Sequence, residues 1–223
     1  MQLSLKHKFA FLCVPKCGST SVEKAIRKYC EVRFSGHPSI KHMTARRFSR
    51  HIRPLLQKAD PNGKIETFCI MREPFDCVKS WFKYRSRAEL ADPSHPRHVR
   101  HTRGISFAQF VEGYLAGNQP ESAGIGTQAG FVRLADGSIG VDRIFRLDQM
   151  ESVGEFLSKK IGMKIEIPVA NKSALGGSTP TPGIFDLPDE LMARLRIHLA
   201  GDYEIYQSLP WNHAVKRKNT KLR

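Results

Sequence analysis

Hydrophobic residues along the chain fall into two patterns, short continuous runs and longer stretches with helical spacing. The runs KFAFLCV (8–14) and IETFCIM (65–71) are compact and nearly unbroken, which predicts buried strands. Each run precedes a stretch with apolar residues three or four positions apart, at 22–29 and 75–88, which predicts a helix. Strands that alternate with helices indicate an α/β domain built on a parallel sheet.

The remaining pattern predicts further helices, one hairpin and two irregular segments. Thr44 and Ser106 are residue types that cap helix starts, and Gly162 is suited to end a helix. Two hydrophobic runs around Asp136-Gly137 predict a strand, a tight turn and a second strand. The expected elements are helices from Thr44 to about Lys58, from Ser106 through Tyr114, from Met150 to Ile161 and over about 188–200, a hairpin over 131–147, and irregular segments at 91–104 and 168–183.

The length and composition are typical of a globular protein, with 223 residues, 40% hydrophobic and 26% charged. We expect a single domain over residues 1–210, followed by a basic tail at 211–223. No run of about 18 apolar residues occurs, which argues against a transmembrane helix, and the apolar start is too short for a signal peptide. Five cysteines without a C-x-x-C pair argue against a disulfide framework and a zinc module. A reduced, cytoplasmic protein without a bound metal is therefore expected.

An excess of positive charge predicts an anionic partner. The chain carries 36 Lys and Arg against 21 Asp and Glu, a formal net charge of +15. Residues 41–58 hold six of the cations and no acidic residue, and the last eight residues hold five more. Charge alone does not name the partner, so nucleic acid, anionic lipid, an acidic glycan and a phosphate-rich cofactor all stay open at this point.

The first motif, PKCGSTS (15–21), lies between the first predicted strand and its helix. Gly18 lets the backbone approach a phosphate closely, and the N–H groups of residues 18–21 open a helix, where unpaired donors favour an anion. The hydroxyls of residues 19–21 add donors, and Lys16 adds a positive charge. The pattern is not a Walker A sequence, because the lysine precedes the glycine. An ordinary strand–helix turn capped by a serine is the structural alternative.

The second motif, CIMREPFDCVKS (69–80), again joins a strand to a helix. Arg72 leaves the predicted strand at its carboxyl end, and Ser80 lies about two turns along the following helix. An arginine can bind a phosphate bidentately, and a serine hydroxyl can add a donor. The alternative is that Arg72 pairs locally with Glu73 or Asp76. In parallel sheets ligands bind beyond the carboxyl ends of the strands, where both motifs lie.

Together the two motifs resemble the sulfotransferase superfamily that uses 3′-phosphoadenosine 5′-phosphosulfate (PAPS). The similarity continues in VDRIFRLDQM (141–150), which resembles the strand-to-helix segment of the carbohydrate-type branch, and in NKS (171–173). It covers about residues 8–207 and is closest to the small bacterial and Golgi polysaccharide members. Two positions depart from the pattern, since Asp148 stands where the branch usually has Glu and Cys77 where many relatives have Arg.

The resemblance implies a fold, a cofactor and a set of site residues. The fold would be a three-layer, P-loop-like α/β domain with a central, mostly parallel sheet flanked by helices. The first loop would bind the 5′-phosphosulfate end of PAPS and the second its 3′-phosphate, with Lys16 stabilising the leaving phosphate, PAP as product and no metal. The cofactor-binding residues would be Pro15, Lys16, Cys17, Gly18, Ser19, Thr20, Ser21, Arg72, Ser80, Asn171 and Ser173.

A hydroxyl or amine that accepts a sulfuryl group must lose a proton, so a general base is expected. Histidine suits this role at neutral pH, and both His42 and His37 follow the first helix, where several relatives carry the base. Because His42 precedes a helix with several arginines, we expect their field to lower its pKa and keep it neutral at pH 7. A carboxylate is the third candidate.

The expected function is therefore transfer of the sulfuryl group from PAPS to a carbohydrate or related small-metabolite acceptor. Two other classes stay open, a phosphate-loop kinase or nucleotide-binding protein with a degenerate loop, and a basic nucleic-acid-binding module. The missing Walker motifs count against the first. No helix-turn-helix, zinc-finger or aromatic RNA-binding signature supports the second, so no specific nucleic acid is expected. The His- and Arg-rich segment 91–104 indicates a basic lid, an acceptor-binding loop or a plain surface loop rather than a metal site.

Overall fold

A computed structural model describes residues 1–168 and 183–210 of the protein. Within this part of the chain, five strands form one sheet in the order β3-β1-β2-β4-β5. The central strand pairs, β2 with β4 and β4 with β5, are parallel, whereas β1 runs antiparallel to both β2 and β3. The strands are β1 (Gln2–Ser4), β2 (Phe9–Phe11), β3 (Val32–Arg33), β4 (Glu66–Met71) and β5 (Arg143–Arg146).

Helices occupy much of the remaining described chain. The predicted α/β class with a mostly parallel sheet is confirmed, whereas the three-layer, P-loop-like arrangement stays a prediction. The helices are α1 (Ser19–Ile26), α2 (Pro38–Lys41), α3 (Ala45–Arg47), α4 (Arg53–Ala59), α5 (Pro74–Arg85), α6 (Ala88–Ala91), α7 (Phe107–Leu115), α8 (Gln128–Val132), α9 (Met150–Ile161), α10 (Asp189–His198) and α11 (Ala200–Ser208).

The predicted helix ends are formed by local hydrogen bonds. The Thr44 side chain accepts the Arg47 N–H at 3.3 Å, and Ser106 forms a reciprocal capping box with Gln109. The helix predicted from Thr44 to about Lys58 is divided by a π-helical turn over Phe48–Ile52. Pro54 explains the division, since its ring crowds the carbonyl four residues earlier and it has no N–H to donate.

The hairpin predicted over 131–147 is wrong in its first half. Residues of this run belong to helix α8, and a single bridge between Arg133 and Ile139 spans the Asp136-Gly137 turn. The second half is strand β5, which pairs in parallel with β4 rather than with its predicted partner. A short apolar run does not distinguish a strand from a buried helix, so tertiary packing decided between them. The predicted helix over about 188–200 is also longer, because α11 continues it to Ser208.

The described residues divide into two compact units, which we call the sheet unit and the helical unit. The sheet unit comprises residues 1–72, 128–168 and 205–210. Its core is aromatic, since the Phe68 ring lies 4.9 Å from that of Phe11 and 5.1 Å from that of Phe156 on α9, measured between centroids. These contacts hold α9 against the strands that carry the candidate site.

The helical unit comprises residues 73–127 and 183–204. Helix α7 packs against α5 and α10, and the Phe107 ring lies 5.4 Å from Phe82 and 5.1 Å from Phe185. The buried Arg85 guanidinium donates to the carbonyls of Glu121 and Gly124 at 3.0 and 2.8 Å, which fastens the segment after α7. Among the helices of the described chain, none is both long and apolar enough to cross a membrane.

Asp142, in the motif before β5, has a structural role in the sheet unit. Its carboxylate accepts the Thr67 N–H at 2.7 Å and the Thr67 hydroxyl at 2.6 Å, which ties the start of β5 to β4. Burial acts to raise the pKa of Asp142, but these hydrogen bonds outweigh it and lower the pKa. The lower pKa keeps the carboxylate ionised as a double acceptor at neutral pH.

Candidate active site

Two of the predicted motif segments begin at the same edge of the sheet unit. Strands β2 and β4 are parallel neighbours, with Phe11 opposite Phe68 in the register. The chain leaves β2 into the loop 12–18 and leaves β4 at Arg72, so both exits lie at carboxyl ends of adjacent strands. This placement is the one expected for a ligand site in a parallel sheet.

The loop before α1 has two residues in left-handed backbone conformation, Lys16 with φ +66° and Gly18 with φ +71°. Glycine adopts this conformation readily, but for lysine it costs on the order of 1–3 kcal/mol. Left-handed residues next to ordinary ones turn successive N–H groups toward one concave side, the geometry of anion-binding turns. The loop is therefore shaped as the first motif predicts for a phosphate site.

Hydrogen bonds within the loop show which predicted donors remain for an anion. The Ser19 hydroxyl donates to the Val14 carbonyl at 2.9 Å, and the Ser21 N–H donates to the Gly18 carbonyl at 3.1 Å. The hydroxyl of Ser19 thus closes the loop rather than facing a ligand. The N–H groups of Ser19 and Thr20 open the helix, where no earlier turn offers them a carbonyl. Of the four N–H groups predicted to face an anion, that of Ser21 is therefore already bonded within the loop.

Gly18 also lies against the segment that leads into α9. A Cβ atom at this position would lie 2.6 Å from Leu147 Cδ1, so any side chain would displace that leucine. The turn glycine Gly137 has a similar backbone, φ +84°, but a Cβ there would meet nothing within 4 Å. A side chain at Gly137 would meet only the strain of a left-handed backbone, whereas one at Gly18 would meet that strain and also crowd Leu147.

We expect Gly18→Ala to destabilise the protein more than Gly137→Ala. The control variant carries only the left-handed strain of an alanine, about 1–2 kcal/mol, whereas Gly18→Ala adds overpacking of about 1 kcal/mol or more. Urea unfolding monitored by circular dichroism measures both losses. Measured against Leu147→Ala alone, adding Gly18→Ala should then cost no more than Gly137→Ala does in the wild type. Equal losses at the two glycines in the wild type would show that Leu147 does not restrict the loop.

The carboxylates near Arg72 are engaged within the helical unit. Glu73 accepts the Asp76 N–H at 2.6 Å and the Tyr203 hydroxyl at 3.0 Å. Asp76 in turn pairs with Lys79 at 2.5 Å. These partners give no support to the alternative in which Arg72 pairs locally with Glu73 or Asp76.

Gln128, at the start of α8, is a site residue that the sequence analysis missed. Its Oε1 accepts the Arg72 N–H at 2.8 Å and the Cys17 thiol at 3.1 Å, and its Nε2 donates to the Arg72 carbonyl at 2.9 Å. The residue is only 4% exposed and Cys17 only 1%. One buried amide therefore joins the phosphate-loop motif to the start of the arginine motif.

His42 is fastened to the strand end from which the loop begins. Its Nδ1 lies 2.7 Å from the Cys13 carbonyl oxygen, which can only accept, so Nδ1 carries the proton and Nε2 is left with its lone pair. Burial lowers the pKa of His42, the hydrogen bond to Cys13 raises it, and the charge of Lys41 lowers it, with a net decrease. The predicted direction is confirmed, but burial rather than the field of the helix arginines is the largest cause.

The other predicted base, His37, lies on the surface at the start of α2. Its Nδ1 is 2.7 Å from the Ser39 hydroxyl, and the residue is exposed. The segment after it is held by the ion pair between Lys41 and Glu23 at 2.9 Å. Of the two histidines, His42 is the one whose ring contacts the strand end beneath the loop.

Three predicted cofactor residues, Ser80, Asn171 and Ser173, stay predictions. Ser80 is buried on α5 in the helical unit and stays a prediction. Asn171 and Ser173 lie outside the described residues. Cys77 is buried on the same helix as Ser80.

The histidine-rich segment 91–104 lies in the helical unit and includes one short 3-10 turn, His98–Arg100. The rings of His98 and His101 stack at 4.5 Å between centroids, and His101 Nδ1 lies 2.7 Å from the His98 carbonyl. Across residues 1–168 and 183–210, no group of three or more His, Cys, Asp or Glu side chains could hold a metal ion.

Comparison with known proteins gives the class of the protein. The sequence model of the sulfotransferase family matches residues 2–207, which is most of the chain. The chain therefore belongs to the sulfotransferase family, whose members are transferases that move a sulfuryl group. Neither the curated proteins nor the solved structures contain a significant match. The resemblance inferred from the two motifs is confirmed.

Proposed function

We propose that this sulfotransferase takes its sulfuryl group from PAPS and transfers it to a hydroxyl or amine of a carbohydrate or related small acceptor. The observation that carries the proposal is the Gln128 amide, which holds the phosphate-type loop beside the backbone of Arg72. PAPS bears a 5′-phosphosulfate and a separate 3′-phosphate. Two neighbouring cationic elements suit such a molecule, whereas a nucleotide with phosphates only at the 5′ position needs one.

The residues of the loop fit the 5′ end of PAPS. Gly18 adopts the left-handed conformation that turns the loop into α1, the N–H groups of Ser19 and Thr20 open that helix, and Lys16 supplies an ammonium group. Arg72 would bind the 3′-phosphate. The family resemblance adds Pro15, Cys17, Ser21, Ser80, Asn171 and Ser173 to the proposed binding set.

The proposed reaction is an in-line displacement at sulfur. The acceptor oxygen or nitrogen forms a bond to sulfur while the bond from sulfur to the bridging phosphate oxygen breaks. The electron pair of the broken bond goes to that phosphate oxygen, whose developing charge Lys16 stabilises. The proton of the acceptor goes to Nε2 of His42, and the products are a sulfated acceptor and PAP.

The acceptor and the cell compartment belong to the same proposal. A formal net charge of +15 favours an acceptor with anionic groups, such as an acidic glycan. All five cysteines are buried thiols, which supports a reducing, cytoplasmic environment.

We expect PAP to raise the melting temperature more than ATP at equal concentration. ATP offers phosphates to the loop but has no 3′-phosphate for Arg72. A ligand at a hundredfold excess over its Kd stabilises the native state by about 2.7 kcal/mol, which thermal shift detects easily. Titration calorimetry of the same two nucleotides gives their affinities directly.

Replacing Arg72 by alanine should remove most of this preference, since one charge-assisted contact contributes about 1.5–3 kcal/mol. Arg143→Ala is the matched control, because that arginine pairs with Glu66 near the amino end of β4. Equal shifts from PAP and ATP, together with magnesium-dependent ATP turnover, would instead support the phosphate-loop kinase.

A further inference from the structure

The end of β4 lacks a strand neighbour on one side. The Phe68 carbonyl accepts the Leu12 N–H at 2.8 Å, so the even-numbered residues of β4 direct their peptide groups toward β2. Strand β2 ends at Phe11, and the Val14 N–H folds back onto the Leu12 carbonyl at 3.0 Å. The peptide groups of Arg72 therefore face a position that β2 has already left.

The Gln128 amide occupies this position as a strand residue would. Its carbonyl oxygen accepts the Arg72 N–H at 2.8 Å and its amide nitrogen donates to the Arg72 carbonyl at 2.9 Å. A peptide group shielded from water is unfavourable without a partner, so this pairing restrains the Arg72 backbone. The backbone in turn sets the direction in which the Arg72 side chain leaves the strand.

A third hydrogen bond extends the restraint to the phosphate-type loop. The Cys17 thiol donates to the same Oε1 atom of Gln128 at 3.1 Å, and Cys17 lies between the two left-handed residues Lys16 and Gly18. One side chain, that of Gln128, is thus hydrogen-bonded both to the loop and to Arg72. Helix α8, which carries Gln128, is itself anchored by the buried side chains of Phe131 and Val132.

We infer that Gln128 is a positioning residue that sets the selectivity of this enzyme for nucleotides with a 3′-phosphate, by holding Arg72 at a fixed place beside the loop that binds the 5′-phosphate. This inference rests on the proposed use of PAPS. It assigns to Gln128 no contact with the cofactor. Gln128 makes two hydrogen bonds to Arg72, the proposed 3′-phosphate ligand, and one to Cys17 in the 5′-phosphate loop. Loss of Gln128 should therefore affect the 3′-phosphate site more than the 5′-phosphate site.

The test compares the affinities of PAP and adenosine 5′-monophosphate (AMP), which differ only in the 3′-phosphate, by titration calorimetry. Gln128→Met preserves the length of the side chain and removes its hydrogen bonds to Arg72 and Cys17. We expect it to lower PAP affinity about tenfold or more and AMP affinity less than threefold. If the methionine variant does not fold, Gln128→Asn replaces it, because its amide is one methylene too short to pair with both groups of Arg72.

Thr67→Val is the matched control, since it removes a buried hydroxyl bonded to Asp142 near the start of the same strand. It should lose stability and keep the full preference for PAP over AMP. Folded Gln128 variants that also keep the full preference would overturn the inference while leaving the proposed function standing. A wild-type protein with equal affinity for PAP and AMP would overturn the proposed function and the inference together.

Discussion

Replacing His42 by alanine is expected to lower kcat about 10²–10⁴-fold, the usual contribution of a general base, with PAP affinity nearly unchanged. The ring is fastened through Nδ1 to the Cys13 carbonyl, which leaves Nε2 to accept the acceptor proton. Burial is the largest of the effects that lower the pKa of His42 below its ordinary value of 6.5. The imidazole is therefore neutral, and ready to act as a base, at pH 7.

The pH dependence distinguishes catalysis from folding. In the wild type, kcat should fall as the pH drops through the lowered pKa of His42, and this acidic limb should be absent from His42→Ala. The free energy of unfolding should also decrease as the pH falls, but its decrease should begin at a higher pH than that of kcat. The unfolded chain takes up the His42 proton near pH 6.5 and the folded chain resists it, so stability declines as pH falls from about 6.5 toward the folded pKa.

His37→Ala is the control for this experiment, because His37 is exposed and contacts Ser39. It should retain kcat and the acidic limb. A loss in His37→Ala with near-normal turnover in His42→Ala would transfer the role to His37. If both variants retain turnover, the base is a carboxylate or the acceptor is an amine that binds already deprotonated.

Lys16→Ala should lower kcat about 10²–10³-fold and weaken PAP binding much less. A charge aimed at the oxygen that leaves with the electron pair acts mainly in the transition state, where that oxygen becomes anionic. Steady-state kinetics with PAPS, set beside PAP affinity from calorimetry, separate the two effects. A higher KM for PAPS with unchanged kcat would make Lys16 a binding residue only.

The left-handed backbone of Lys16 offers a control for the loop itself. Lys16→Gly removes the same charge but also relieves the strain of φ +66°, so it should be about 1 kcal/mol more stable than Lys16→Ala. Both variants should lose the same share of kcat. A glycine variant with much higher turnover than the alanine variant would show that loop geometry, rather than charge, limits the reaction.

Features that depend on near neighbours in the chain were readable from the sequence alone. The capping of α3 by Thr44, the capping box of Ser106 and the left-handed Gly137 and Gly162 each involve residues within a few positions. The phosphate-type loop was readable for the same reason. A glycine after a buried strand and hydroxyl residues at a helix start form one local structure, and the family resemblance then named its chemistry.

The surroundings of the site were decided by the tertiary structure. Gln128 lies 56 residues from Arg72 and 111 from Cys17, and no local pattern marks a glutamine that completes a strand end. Residues 143–146 of the run at 131–147 form a parallel strand because they pair with β4, whereas residues 131 and 132 end helix α8, and periodicity shows neither. For His42 the sequence suggested that nearby arginines lower the pKa, whereas burial is the largest cause. The sequence could not show this, because burial depends on which distant segments pack around the ring.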